Sequence, residues 1–174
     1  MAAADELVDV CDETGRVVGT ATRAEMRAGR LWHRTVFIAV LTTDDRAWVH
    51  RRADWKDVWP GWWDVCFGGV LAAGEGFDDA ARRELAEEAG ITGVDLAAVA
   101  TGRYEDEACR EHAAVYVART DAPCTCPDGE VAEALLVRRD DLAAWVAGRR
   151  LVPDSAALVL PHLLGAGAGP ADEA

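Results

Sequence analysis

Between Gly69 and Ile91 the sequence reads GVLAAGEGFDDAARRELAEEAGI, and this stretch limits the fold more than any other. Phe77 to Ala89 contains neither Gly nor Pro and is dense in Ala, Glu, Arg and Leu, which are strong helix formers. Gly90 then stands where a helix ends in a left-handed cap. On that helix Glu84, Glu87 and Glu88 fall at i, i+3 and i+4, within about 100° of one another at 3.6 residues per turn. Like charges so close weaken a helix by a few tenths of a kcal/mol per pair. A hard divalent cation removes that cost, because Mg²⁺ prefers oxygen ligands.

A solvated face with Arg82 and Arg83 as partners is the ordinary reading of three such glutamates. The surroundings argue otherwise. Gly68 and Gly69 let the backbone come close to a ligand or metal, and the loop through Gly74 returns the chain to the start of the helix. Glu75, eight residues before Arg83, is placed to pair with it across loop and helix.

Gly69, Glu75, Arg83-Glu84-Leu85, Glu87-Glu88 and Gly90-Ile91 match the Nudix box, which spans 23 residues here and fixes nine of them. The chain thus resembles the Nudix family. That resemblance implies that Glu84, Glu87 and Glu88 bind Mg²⁺ (or Mn²⁺), with the carbonyl of Gly69 as a further ligand and Glu75 with Arg83 holding the loop. It also implies a mixed central sheet flanked by helices. The activity implied is hydrolysis of a diphosphate linkage in a small organic substrate. Glu84, Glu130 and Glu133 all stand open as the group that accepts the water's proton.

The rest of the chain suits an α+β domain, an α/β/α sandwich. Leu7–Cys11 and Arg16–Thr20 read as an N-terminal hairpin around Asp12-Glu13-Thr14-Gly15. Thr22 is an N-cap for a short helix ending at Gly29. Strands are expected at 33–41, 47–51 (half-buried), 62–69, 96–104, 113–119 and 131–138. Short helices are expected after Asp140 and Asp154, with Pro161 a kink or end. Residues 1–164 are read as one domain and 165–174 as a disordered tail.

Composition narrows the partners. Eighteen basic against 31 acidic residues give a net charge of −13, which disfavours a surface for a nucleic-acid polymer. A small phosphorylated substrate remains compatible, since bound cations bridge acidic protein to acidic ligand. No apolar run approaches the ~20 residues of a membrane span, and the N-terminus lacks the character of a secretion signal. The expectation is a cytoplasmic protein, monomer or homodimer. Cys11, Cys66, Cys109, Cys124 and Cys126 contain no CxxC pair and read as reduced thiols.

Upstream of the box, Arg51-Arg52-Ala53, Lys56, Trp59-Pro60-Gly61 and Trp63, with His33, are similar to the isopentenyl-diphosphate isomerases. Those enzymes share the fold but move a double bond. Their essential cysteine falls on Gly68 here, two of their metal histidines on Val70 and Met26, and one acid on Cys109, although Glu111 matches another. Hydrolase is therefore favoured over isomerase. A binding module without turnover is the third reading, and the intact box glutamates argue against it. Arg51, Arg52 and Lys56 are expected to grip the diphosphate, only one of the two arginines reaching it because strand residues alternate in face. Trp62 or Trp55 is expected to line the cleft, Trp59 and Trp63 to be structural, and His33 to be a core or rim residue.

Overall fold

The computed structural model describes residues 3–165; nearly all of the tail expected to be disordered lies outside them. The hairpin forms from β1 (Leu7–Cys11) and β2 (Val17–Thr22). α1 (Arg23–Gly29) starts at Thr22, whose hydroxyl accepts the Glu25 N–H while the Glu25 carboxylate accepts the Thr22 N–H. Then come β3 (Trp32–Leu41), β4 (Arg46–Arg52), β5 (Trp63–Asp64) and β6 (Phe67–Val70). α2 (Phe77–Glu84) is followed by β7 (Leu96–Glu105), β8 (Arg110–Arg119) and β9 (Val131–Arg138). The last elements are α3 (Arg139–Val146), α4 (Pro153–Leu158) and α5 (Leu160–Leu163).

β3 organises the mixed sheet. It pairs in parallel with β8 along its whole length and antiparallel with β6, and touches β1 and β4 at single positions. Alternate residues of β3 serve two cores, as the period of a strand requires. Val36, Ile38 and Val40 face α2, packing with Phe67, Leu71, Leu85 and Ile91. Phe37, Ala39 and Leu41 face α3 to α5, packing with Val49, Val65, Leu142 and Leu163. Helices therefore cover both faces, the α+β layering expected from the sequence.

Four local expectations need correction. The single strand at 62–69 is two strands: the Asp64 carboxylate accepts the N–H groups of Val65 and Cys66, turning the chain. β5 then pairs with β4 and β6 with β3. β4 is not half-buried, because His50 lies inside, 2% exposed and stacked on Phe67 at 4.8 Å. The helix from Phe77 to Ala89 is α-helical only to Glu84, and Leu85–Ala89 widens into a π turn before Gly90 caps it at φ 71°. The last helix breaks at Val159, ahead of Pro161.

Candidate active site

The end of β6 runs directly beside α2, and two glycines permit it. A Cβ on Gly68 would lie 2.0 Å from the Val36 carbonyl oxygen, and one on Gly69 2.5 Å from Glu84 Oε1. Any side chain at Gly69 would displace the Glu84 carboxylate. Glu88 sits one turn on, its Oε2 accepting the Gly68 N–H at 3.0 Å.

The three box glutamates differ in burial. Glu84 and Glu88 point inward, 7% and 3% exposed, whereas Glu87 stays exposed. Arg83 binds across this group with its whole fork. Nε and Nη2 donate to the two Glu75 oxygens at 2.9 and 2.8 Å, and Nη1 to Glu84 at 2.6 Å and Glu87 at 3.1 Å. Nη2 also reaches the Val70 carbonyl, and Glu75 in turn accepts the Ala72 N–H, so the pair ties the loop to the helix. The Arg83 guanidinium holds the Glu75 carboxyl below its ordinary range. Burial raises Glu84, opposed by Arg83, and pushes Glu88 up to about 8 against the pull of Lys56.

Lys56 is not a solvated loop charge. Its ammonium bonds the Glu130 carboxylate and stands 3.6 Å from Glu88 Oε1, with the side chain 9% exposed. Burial raises the Glu130 carboxyl, but the Lys56 contact outweighs it and the net direction is down. Of the open proton acceptors, Glu130 and Glu84 line this carboxylate pocket. Glu133 does not: it lies opposite Arg51 on the neighbouring strand, half-exposed.

The pocket opens into a narrow cleft, the two sharing Arg23, Lys56, Gly68 and Gly69. The arginines of β4 divide as alternation demands. Arg52 lines the cleft and donates to the Val58 carbonyl, while Arg51 turns outward to Asp54 at 3.0 Å. The structure thus does not bring Arg51 to the cleft. Nor does it bring Trp62, which lies near Arg150 instead, or Trp55, which is 65% exposed. Trp59 lines the cleft in their place, its backbone at φ 49° turning the loop. Trp63 packs edge-on against Trp145.

Sequence reading missed Arg23 and Arg27 on α1, which add two positive charges to the cleft rim. Their i, i+4 spacing marks a common helix face, but only the hairpin's docking on β3 shows what that face meets. It also missed Thr35, Asp64 and Asp154, which with Glu111, the residue matched to an isomerase acid, form the cleft floor from four separate elements. His33 is buried beside this floor, with Nε2 3.5 Å from Glu111 Oε1.

Comparison with known proteins gives concordant results. A model of the NUDIX domain family matches residues 31–155. An uncharacterized Nudix hydrolase of Yersinia pestis is 36% identical over 143 residues, covering 82% of this chain and 79% of that protein. Another, from Rhodococcus erythropolis, is 36% identical over 171 residues, 91% of this chain and 92% of that one. Among solved structures, the crystal structure of DR0079 from Deinococcus radiodurans aligns with a TM-score of 0.77 at 25% identity, over 94% of this chain and 100% of its own.

Proposed function

The chain belongs to the Nudix hydrolase family, and from that premise we propose that it is a Mg²⁺-dependent hydrolase of the diphosphate linkage in a small organic diphosphate. One observation carries this reading: the two buried carboxylates Glu84 and Glu88 lie against the glycine corner, Glu84 at Gly69 and Glu88 at Gly68, with Lys56 alongside Glu88.

Nudix hydrolases generally use divalent metal ions, and the donor set fits one. Glu84 and Glu88, with Glu87 at the rim and the Gly69 carbonyl nearby, offer oxygen only, as a hard cation prefers. When bound, such a cation supplies charge neutralisation for the diphosphate and lowers the pKa of a coordinated water. The protein's own groups do the rest. Arg83 holds Glu84 and Glu87 in place while locking the loop through Glu75. Arg52 and Lys56 supply positive charge to receive the diphosphate, Arg52 through a planar fork and Lys56 as a mobile point charge. Glu130, kept ionised by Lys56, is suited to take a proton once the lysine turns toward phosphate.

Hydrolysis is supported over isomerisation by the absence of a thiol at Gly68. Cys66 does line the cleft, but it is buried against Asp64 and its thiol is held well above its ordinary range. The test is release of phosphate or pyrophosphate from nucleoside diphosphates, nucleotide sugars, dinucleoside polyphosphates and prenyl diphosphates. Turnover with Mg²⁺, its loss on chelation and its return on adding the metal back are expected. Metal-independent turnover, or conversion of isopentenyl to dimethylallyl diphosphate, would overturn the reading.

A further inference from the structure

The floor of the cleft carries a charge pattern that the hydrolytic machinery does not use. Its rim is basic, yet its base presents Asp64, Glu111 and Asp154, all 5% exposed or less. Among the described residues no Lys or Arg forms an ion pair with any of the three; the His33 imidazole stands 3.5 Å from Glu111. Asp64 spends one oxygen on the backbone N–H groups of Val65 and Cys66, and Asp154 one on Ser155. Two acceptors in the floor are left without a partner: Glu111 Oε2 and Thr35 Oγ1, each on a side chain 3% exposed. Buried polar atoms are rarely left unpaired, because each costs about 1–3 kcal/mol.

The floor and the carboxylate pocket are continuous through Gly68, Gly69 and Lys56. Lys56 and Arg52 line the same cleft as these acceptors, so a diphosphate gripped there has its organic end beside them. We infer that the organic group of the substrate carries hydrogen-bond donors, hydroxyls or a primary ammonium, that bind Glu111 and Thr35 at the cleft floor. The inference rests on the hydrolase reading for the placement of the diphosphate. An alkyl or prenyl head is disfavoured by the same geometry, since it would leave Glu111 Oε2 and Thr35 Oγ1 buried with nothing to satisfy them. Sites built this way discriminate strongly against analogues that lack the polar group.

Three probes of similar size separate the possibilities: glyceryl, aminopropyl and butyl diphosphate. Binding to the full chain is measured by calorimetry with Ca²⁺ in place of Mg²⁺, and phosphate release separately with Mg²⁺. At least one donor-bearing head should bind about tenfold tighter than butyl or better, the yield of one hydrogen bond to a charged group. Thr35→Val, which keeps the side chain's shape, should shrink that gap. Glu111→Gln removes charge but keeps an acceptor, so it should weaken the aminopropyl arm more than the glyceryl arm. Preferential binding without phosphate release would count against the hydrolase reading and leave the head-group inference standing. Butyl diphosphate binding as tightly as both others, or none of the three binding, would overturn the inference.

Discussion

Two sets of buried carboxylates stand on either side of the glycine corner that joins the carboxylate pocket to the cleft, and the fold treats them differently. Glu84 and Glu88 each have a cation at hand, Arg83 at 2.6 Å and Lys56 at 3.6 Å, and Glu88 also takes a backbone N–H. Asp64, Glu111 and Asp154 have no arginine or lysine paired with them among the described residues, and one Glu111 oxygen has no partner at all. Burying a carboxylate is costly unless it is paired and hydrogen-bonded. The first set meets that cost with side chains long enough to yield to a metal or a phosphate. The second leaves it unmet, which makes it a receptor for donors brought by a ligand.

The sharpest way to break this contrast is to remove the cation from the first set. Arg83→Ala leaves the buried Glu84 and the half-buried Glu75 without their fork. Breaking a buried pair costs about 3–5 kcal/mol, and a guanidinium 30% exposed should lie near the lower end. A loss of about 2–4 kcal/mol in urea unfolding is expected, with activity falling alongside. Arg83→Lys should recover only part of it, since an ammonium cannot bridge both Glu75 oxygens.

A smaller effect separates the two faces of β4. Arg52→Ala should raise KM about 10- to 150-fold, the equivalent of a charge-assisted contact of about 1.5–3 kcal/mol, with kcat little changed. Arg51→Ala and Trp62→Phe should leave KM within about twofold. Equal effects at Arg51 and Arg52 would mean that the cleft is not where the diphosphate is held.

The smallest effect concerns the second set. Burial, then Glu111 and Asp64, raise the Asp154 pKa well above its ordinary value. A carboxyl whose folded pKa exceeds its unfolded one contributes stability below the unfolded pKa, and that contribution is lost as pH rises through the folded pKa. Asp154→Asn should therefore raise Tm, and by more at pH 8 than at pH 5. A substitution equally neutral at both would show that the floor carries no uncompensated charge.

The readable part of this molecule was what lay in consecutive positions. Residue spacing put Glu84, Glu87 and Glu88 on one helix, and β-branched runs marked most of the strands that the fold contains. What spacing could not give was the π turn at Leu85–Ala89, in which Leu85 and Ala89 join the core while Glu87 is exposed. The division of 62–69 into two strands combines a local turn at the Asp64 side chain with tertiary pairing, β5 to β4 and β6 to β3, which no local pattern shows. The α1 arginines, Glu111 and Asp154 are far apart in sequence and come together only in the folded cleft. The tryptophan run Trp59 to Trp63 was visible, but which ring turns to the cleft depends on the left-handed backbone at Trp59.

The central claim is that the glutamates at the glycine corner perform metal-dependent hydrolysis, and Glu88→Gln tests it most directly. The substitution keeps the side chain's shape and an acceptor for the Gly68 N–H, so the fold and its Tm should be retained. On the best-used diphosphate, kcat for Mg²⁺-dependent phosphate release should fall by at least about 10². A folded Glu88→Gln variant that releases phosphate at close to the wild-type rate would contradict the account.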